Sequence, residues 1–298
     1  MSLTVLQGAV EQGLIYSLVA LALYISYRTL DIADLTTDGT FALGAACSAI
    51  FTANGHPVLG LVMAIAGGAV AGFVTAFLQT TFGVLPILAG IITMTGLYSI
   101  NLMVMGNKAN LPILKADNVF TYAERVFGAG FGKLILALVI VAIISAALVW
   151  FLRTRTGLSL RATGDNRSMV SASSINPALM TTLGLCLANA LTALSGGLIA
   201  QYQKFSDATL GTGMVVIGLA SLIIGEVFIG RKSVLRGVLA AVLGGVIYRI
   251  IIAAALSAKV NANNLKLISA VIVAVAICYP AVRAKLAFYR MRKGGAAK

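Results

Sequence analysis

Charge is scarce in this sequence: Asp, Glu, Lys and Arg make up 10% of 298 residues, against roughly a quarter in an ordinary soluble domain. That scarcity excludes a soluble globular fold. A single histidine, His56, excludes the HExxH motif and any His-rich metal site, and beside Pro57 it reads as a turn residue. The three cysteines, Cys47, Cys186 and Cys278, sit inside apolar stretches with no CxxC spacing. Neither a disulfide framework nor a zinc site is indicated, and they read as small buried hydrophobes. Nucleotide-binding chemistry is missing too. A phosphate-cradling G-x-x-x-x-G-K-[ST] loop needs a hydroxyl after its lysine, and the sole Gly-Lys pair, Gly132-Lys133, is followed by Leu134. No basic residue precedes the first apolar stretch, unlike a cleaved signal peptide, so the first helix is expected to be retained.

What is abundant is apolar length. Hydrophobic residues reach 59% and the mean hydropathy is +0.98. Runs of about twenty apolar residues, each able to cross roughly 30 Å of hydrocarbon as a helix, recur throughout. The expected fold is all-α and polytopic, with segments near 8–29, 35–53, 57–81, 83–105, 132–152, 177–203, 213–230, 234–257 and 264–287. The net charge of +13 does not point to nucleic acid, because the basic residues cluster in short connections. Arg153, Arg155, Arg161 and Arg167 lie in one, Arg231, Lys232 and Arg236 in another, and Arg283, Lys285, Arg290, Arg292, Lys293 and Lys298 near the end of the sequence. With nine alternating segments these and Arg28 share one side, and the other side receives half as many. The positive-inside bias predicts N-terminus out and C-terminus in.

An internal repeat is legible. Gly39 and Gly44 match Gly213 and Gly218, Gly67-Gly68 match Gly244-Gly245, and Leu85 to Ile92 resembles Leu265 to Ile272, in the same order. Five crossings separate the first pair from its counterpart, which makes the copies inverted, a transporter signature. One transmembrane domain over 1–298 follows: repeat one about 8–152, a polar connection 153–176, repeat two about 177–287 and a basic tail 288–298. The alternative reading is that the glycines only permit close helix packing.

The connection 153–176 carries Gly164 or Asp165 as a helix cap, and Met169, Ala172 and Ile175 recur every three residues. A short amphipathic helix over 164–176 is expected, and a surface helix lying on lipid headgroups is the plainer alternative. Within the membrane, Thr93, Thr95, Tyr98, Asn101, Asn189, Thr192 and Gln201 offer uncharged polar groups. They suit brief passage of a zwitterion or sugar, or simple interhelical hydrogen bonds. Glu226 reads as an ion pair with Arg231 or Lys232 or as a substrate group, and Arg249 as a packing or a pathway residue. Segments two and seven are expected to line a central cavity, with Thr37, Asp38, Thr95, Tyr98 and Asn101 near it. Leucine at Gly44 or Gly218 should then block transport, and leucine at peripheral Gly60 should be mild.

Three runs carry a family resemblance. Leu160-Arg161-Ala162-Thr163-Gly164-Asp165-Asn166 with Ile175-Asn176 resembles the coupling-helix loop of ABC-importer permeases of the branched-chain amino acid and ribose type. Asp34 to Ala45, and Ile224-Gly225-Glu226-Val227 through Gly244 to Arg249, resemble a subgroup linked to tryptophan and tyrosine uptake. Departures are Ser173-Ser174, where many relatives have Ser-Gly, and Glu226, where the wider family has glycine. The resemblance implies the fold of a type II ABC importer and a permease subunit in a bacterial cytoplasmic membrane, not an enzyme. It implies a homodimer in contact with lipid, with ATPase subunits below and a substrate-binding protein above. ATP and Mg would reside on the ATPase, with no cofactor on this chain. Arg161, Gly164, Asp165, Asn166, Arg167, Met169 and Ile175 would dock the ATPase. Thr37, Asp38, Gly39, Gly44, Thr95, Tyr98, Asn101, Gly213 and Gly218 would border the pathway. An ion-coupled secondary transporter is the second class, and it would need an intramembrane carboxylate, for which Glu226 is the candidate. An intramembrane enzyme is the third, and no serine-base pair or carboxylate pair at mid-depth supports it.

Overall fold

The structure is a computed structural model that describes residues 3–114, 116–128 and 130–257, together with 270, 271 and 274. Its helices are α1 (Leu3–Leu23), continued by a π-helical turn Tyr24–Thr29, α2 (Thr36–Ala53), α3 (Pro57–Thr81) and α4 (Pro86–Val104). Then come α5 (Val119–Phe127), α6 (Gly132–Arg153), α7 (Arg155–Asp165), α8 (Arg167–Ala172), α9 (Pro177–Gln203), α10 (Met214–Ile229) and α11 (Val234–Ser257). Proline opens α3, α4 and α9, at the position where its missing N–H costs nothing. Eight of these helices correspond to the first eight apolar segments. The expected ninth, 264–287, and the tail lie outside the described residues.

Six helices are long and apolar enough to cross a membrane: α1 with its π-turn, α3, α4, α6, α9 and α11. The repeat-matched helices are shorter. At 16 residues, α10 spans about 24 Å, less than the hydrocarbon core. The chain reaches it through non-helical residues 208–213, which are packed against the start of α2. Irregular backbone of this kind is tolerated at membrane depth where protein or water surrounds it.

At the centre, α1 and α9 run antiparallel, and both are largely buried. Tyr202 donates to Glu11 at 2.9 Å, Ser195 Oγ donates to the Ile15 carbonyl at 2.8 Å, and Gly184 lies against Leu30 at the far end. Around this pair the two halves exchange helices, for α3 packs on α9 and α11 packs on α1. The matched glycines make the crossings. A Cβ at Gly68 would stand 2.5 Å from the Asn189 carbonyl oxygen, and one at Gly245 would stand 2.9 Å from the Ser17 Cα. Each glycine pair thus seats the third helix of one half on the first helix of the other. With α2 on α3 and α10 on α11, the described helices of the two halves make matching contacts, and their first helices, α1 and α9, run antiparallel. The halves interlock rather than stand side by side.

The connection after α4 is more structured than its sequence suggests. Strand β1 (Asn110–Pro112) pairs antiparallel with β2 (Phe205–Asp207). Asn118 caps α5 through Thr121 N at 2.8 Å and donates to the Gln201 carbonyl at 3.0 Å. Gln201 in turn donates to Ser48 and to the Pro57 carbonyl, both at 2.9 Å, which ties the ends of α2, α3, α5 and α9 together at one end of the molecule. Arg28, Arg161 and Arg231 gather at the opposite end.

Candidate translocation cavity and coupling surface

The starts of α2 and α10 meet head to head. Asp38, in the first turn of α2, accepts from Gly213 N at 2.8 Å and Val215 N at 2.9 Å. It therefore caps α10 from the other repeat, a task no side chain of the Gly213 N-cap can perform. Gly213 has φ +86°, a conformation that favours glycine. Gly211 lets the two backbones touch, since a Cβ there would fall on the Asp38 carbonyl oxygen.

Beside this junction opens a cavity of about 310 Å³, bounded by α2, α4 and the 208–212 stretch. Asp38, Gly39, Thr95, Tyr98 and Asn101 line it, five of the residues expected near a pathway. Ala42, Met94, Ala208, Thr209, Gly211 and Thr212 complete the wall. Thr212 precedes Gly213 as Asp38 precedes Gly39, so the repeat places the two in equivalent positions. The polar run Lys204 to Thr212, between two apolar segments, is the signal that could have revealed Ala208, Thr209 and Gly211. Asn101 is fully buried, and its Nδ2 donates to the Gly39 carbonyl at 3.3 Å.

Four expected wall residues do not line it: Gly213 sits at the junction as the N-cap of α10, and three others are elsewhere. Thr37 is buried, and its Oγ1 donates to the Asp34 carbonyl at 3.1 Å. Gly44 faces α9, where a Cβ would stand 1.9 Å from the Ala193 carbonyl oxygen, and Gly218 faces Val19 and Leu23 of α1. Both glycines permit helix crossings and face no open space. Gly60 is not a tolerant periphery either: a Cβ would lie 3.0 Å from the Ser48 carbonyl oxygen and 3.2 Å from Phe51.

Behind α2 lies a buried polar network that sequence reasoning missed. Asp34 Oδ1 accepts from Thr36 N at 2.9 Å, and its Oδ2 accepts from Asn189 Nδ2 at 2.7 Å. Asn189 Oδ1 accepts from Thr40 at 2.8 Å, and Thr36, Thr75 and Thr93 form a hydroxyl chain across α2, α3 and α4. Asn189 and Thr93 thus serve helix contacts. Thr192 differs, for its Oγ1 donates to the Ala188 carbonyl within its own helix.

At the opposite end a second, more polar cleft of about 170 Å³ joins Tyr24, Arg28, Arg161, Asp165, Glu226 and Arg231. Glu226 pairs with Arg28 at 3.1 Å and with Arg231 at 3.7 Å. It is an ion-pair residue, as its spacing from Arg231 suggested, with its nearer partner on α1. The Arg249 guanidinium lies 4.0 Å from the Tyr16 ring centroid, a packing role for the cation.

The connection 153–176 holds two helices where one was expected. Gly164 and Asp165 end α7, and a Cβ at Gly164 would collide with the Thr29 carbonyl. The cap of α8 is Asn166, whose Oδ1 accepts from Met169 N at 3.0 Å. Met169 and Ala172 are exposed, Ile175 is half-buried, and Val170 is the residue that packs inward. Arg161, Arg167 and Met169 therefore stand on an accessible surface next to the charged cleft.

Membrane-length helices, the repeated packing of the two halves and an open, mostly apolar cavity carrying a few polar side chains are the features of a membrane transport subunit. The chain belongs to the family described as the permease component of the branched-chain amino acid transport system, which matches residues 5–278. A tyrosine transport system permease protein of Clostridioides difficile is 38% identical over 89% of this chain and 88% of its own. An uncharacterized protein of Rickettsia prowazekii is 32% identical over 92% of this chain and 97% of its own. A galactose/methyl galactoside import permease protein of Haemophilus influenzae is 28% identical over 63% of this chain and 57% of its own. No solved structure matches.

Proposed function

We propose that this chain is the membrane-spanning subunit of an ATP-driven importer for a small polar solute, an amino acid, with aromatic amino acids favoured. The observation that carries the reading is near-full-length similarity to a tyrosine transport system permease. The cavity beside Asp38 supports it, since polar and uncharged aromatic groups line a space of small-molecule size. ATP hydrolysis belongs to a partner ATPase that docks on the surface formed by Arg161, Arg167 and Met169. Gly164, Asp165, Asn166 and Ile175 hold that surface in shape. This end faces the bacterial cytoplasm, and a substrate-binding protein delivers cargo to the other.

Two copies of the chain enclose the pathway. The outward faces of α3 and α6 are apolar, as lipid requires, with Val62, Val70 and Phe73 on one and Leu138, Ile143 and Trp150 on the other. On α4, by contrast, Thr95, Gly96, Tyr98 and Ser99 are exposed in mid-helix. A polar stripe at this depth belongs against water or a second subunit. Purifying the tagged permease from its native membrane tests the reading, because an ABC ATPase should co-elute. A permease that transports normally with no ATPase attached would refute it.

A further inference from the structure

Two polar side chains of the cavity lining, Asn101 and Asp38, keep unused acceptor capacity. Asn101 is fully buried, and donation from its Nδ2 to the Gly39 carbonyl fixes which way the amide points. Its Oδ1 is then left with no hydrogen-bond donor among the described residues. Leaving a buried acceptor without a partner is costly, so it calls for an occupant that donates. Asp38, on the same wall, spends one contact of each carboxylate oxygen on the α10 backbone. A carboxylate has about four lone-pair sites, so it keeps acceptor capacity for a ligand. Thr95 cannot offer its proton easily, because its Oγ1 already donates to the Ile91 carbonyl at 2.8 Å. Met94, Ala42 and Tyr98 add apolar and aromatic surface to the same lining.

Resting on the importer reading, we propose that Asp38 and Asn101 form a subsite for the ammonium group of the passing amino acid, with Tyr98 and Met94 against its side chain. An ammonium supplies three donors and a positive charge, which match one free carbonyl and one carboxylate. A carboxylate group would be repelled by Asp38 and would find only the Tyr98 and Thr212 hydroxyls as donors on this lining. The subsite therefore discriminates by the amine within the permease itself, independently of any selection made by a binding protein. Its contacts are few, so it holds cargo weakly enough to release it.

Saturation-transfer NMR on the full chain in lipid nanodiscs reads such weak contacts directly, with tyrosine, tyramine and 3-(4-hydroxyphenyl)propionate as probes. Tyrosine and tyramine, which keep the ammonium, should receive saturation, and the propionate should receive little. Asn101→Leu should abolish the tyramine signal. The comparison of probes on the unaltered chain stands even if that variant does not fold. Equal signals from tyramine and the propionate, or no signal from any probe, would overturn the subsite. ATP-dependent tyrosine uptake by the assembled transporter would still support the importer reading in that case, so the two failures are distinguishable.

Discussion

Adjacent glycines in α3 have opposite tolerances. A Cβ at Gly68 would stand 2.5 Å from the Asn189 carbonyl oxygen, whereas one at Gly67 would stand 3.4 Å from a Leu43 methyl. Overpacking of the first kind typically costs about 1–3 kcal/mol. Gly68→Ala is therefore expected to lower the thermal unfolding midpoint in detergent clearly, and Gly67→Ala to leave it nearly unchanged. Similar midpoints for the two would remove the α3–α9 crossing as a stabilising contact. The Glu226 cluster offers a second contrast at this scale. Arg28 is the nearer partner, at 3.1 Å against 3.7 Å for Arg231, and the Glu226 side chain is mostly buried. Arg28→Ala leaves that carboxylate with only its weaker pairing, and should destabilise the protein more than Arg231→Ala in the same assay.

At the scale of elements, α10 depends on a cap from another helix. Removing a helix cap costs about 0.5–2 kcal/mol, so Asp38→Ala should expose the 208–213 backbone to faster hydrogen exchange at Gly213 and Val215. Unchanged exchange there would show that α10 starts without Asp38. The coupling surface separates two roles that its sequence merged. Asn166 builds the start of α8, and Met169 is exposed with no such duty. Met169→Glu should keep the fold while abolishing substrate-stimulated ATP hydrolysis with the partner ATPase, and normal stimulation would leave α7 and α8 as a surface feature only.

These elements also mark where sequence was informative. Long apolar runs gave eight helices, and repeated glycines gave the inverted relation, because both leave local, periodic traces. Four of the cavity residues were legible as polar interruptions in apolar segments, and Gly39 as a repeated glycine. The facing of Gly44 and Gly218 was not, since an apolar helix of nearly uniform hydrophobicity carries no phase to tell cavity from neighbour. The Asp34–Asn189 contact joins residues 155 positions apart, and nothing local in either segment announces the other. The β1–β2 ribbon and the split between α7 and α8 rest on three- and six-residue elements, too short for a periodic signal.

For the whole molecule, alternation of the helices sets the ends apart. Cysteines replacing Asn54 and Asp117 should label from outside the cell, and one replacing Arg161 only from inside. Arg292, also expected inside, lies beyond the described residues. External labelling at 161 would reverse the assignment. The dimer proposed around α4 should cross-link through cysteine at Ser99, and failure there would move the interface. The measurement that reaches the central claim most directly is uptake of labelled tyrosine into proteoliposomes holding the permease, its ATPase and its binding protein. Uptake that requires ATP at the face carrying α7 and α8, and that persists when proton and sodium gradients are collapsed, is the expected result. Uptake driven by an ion gradient without ATP would contradict the account.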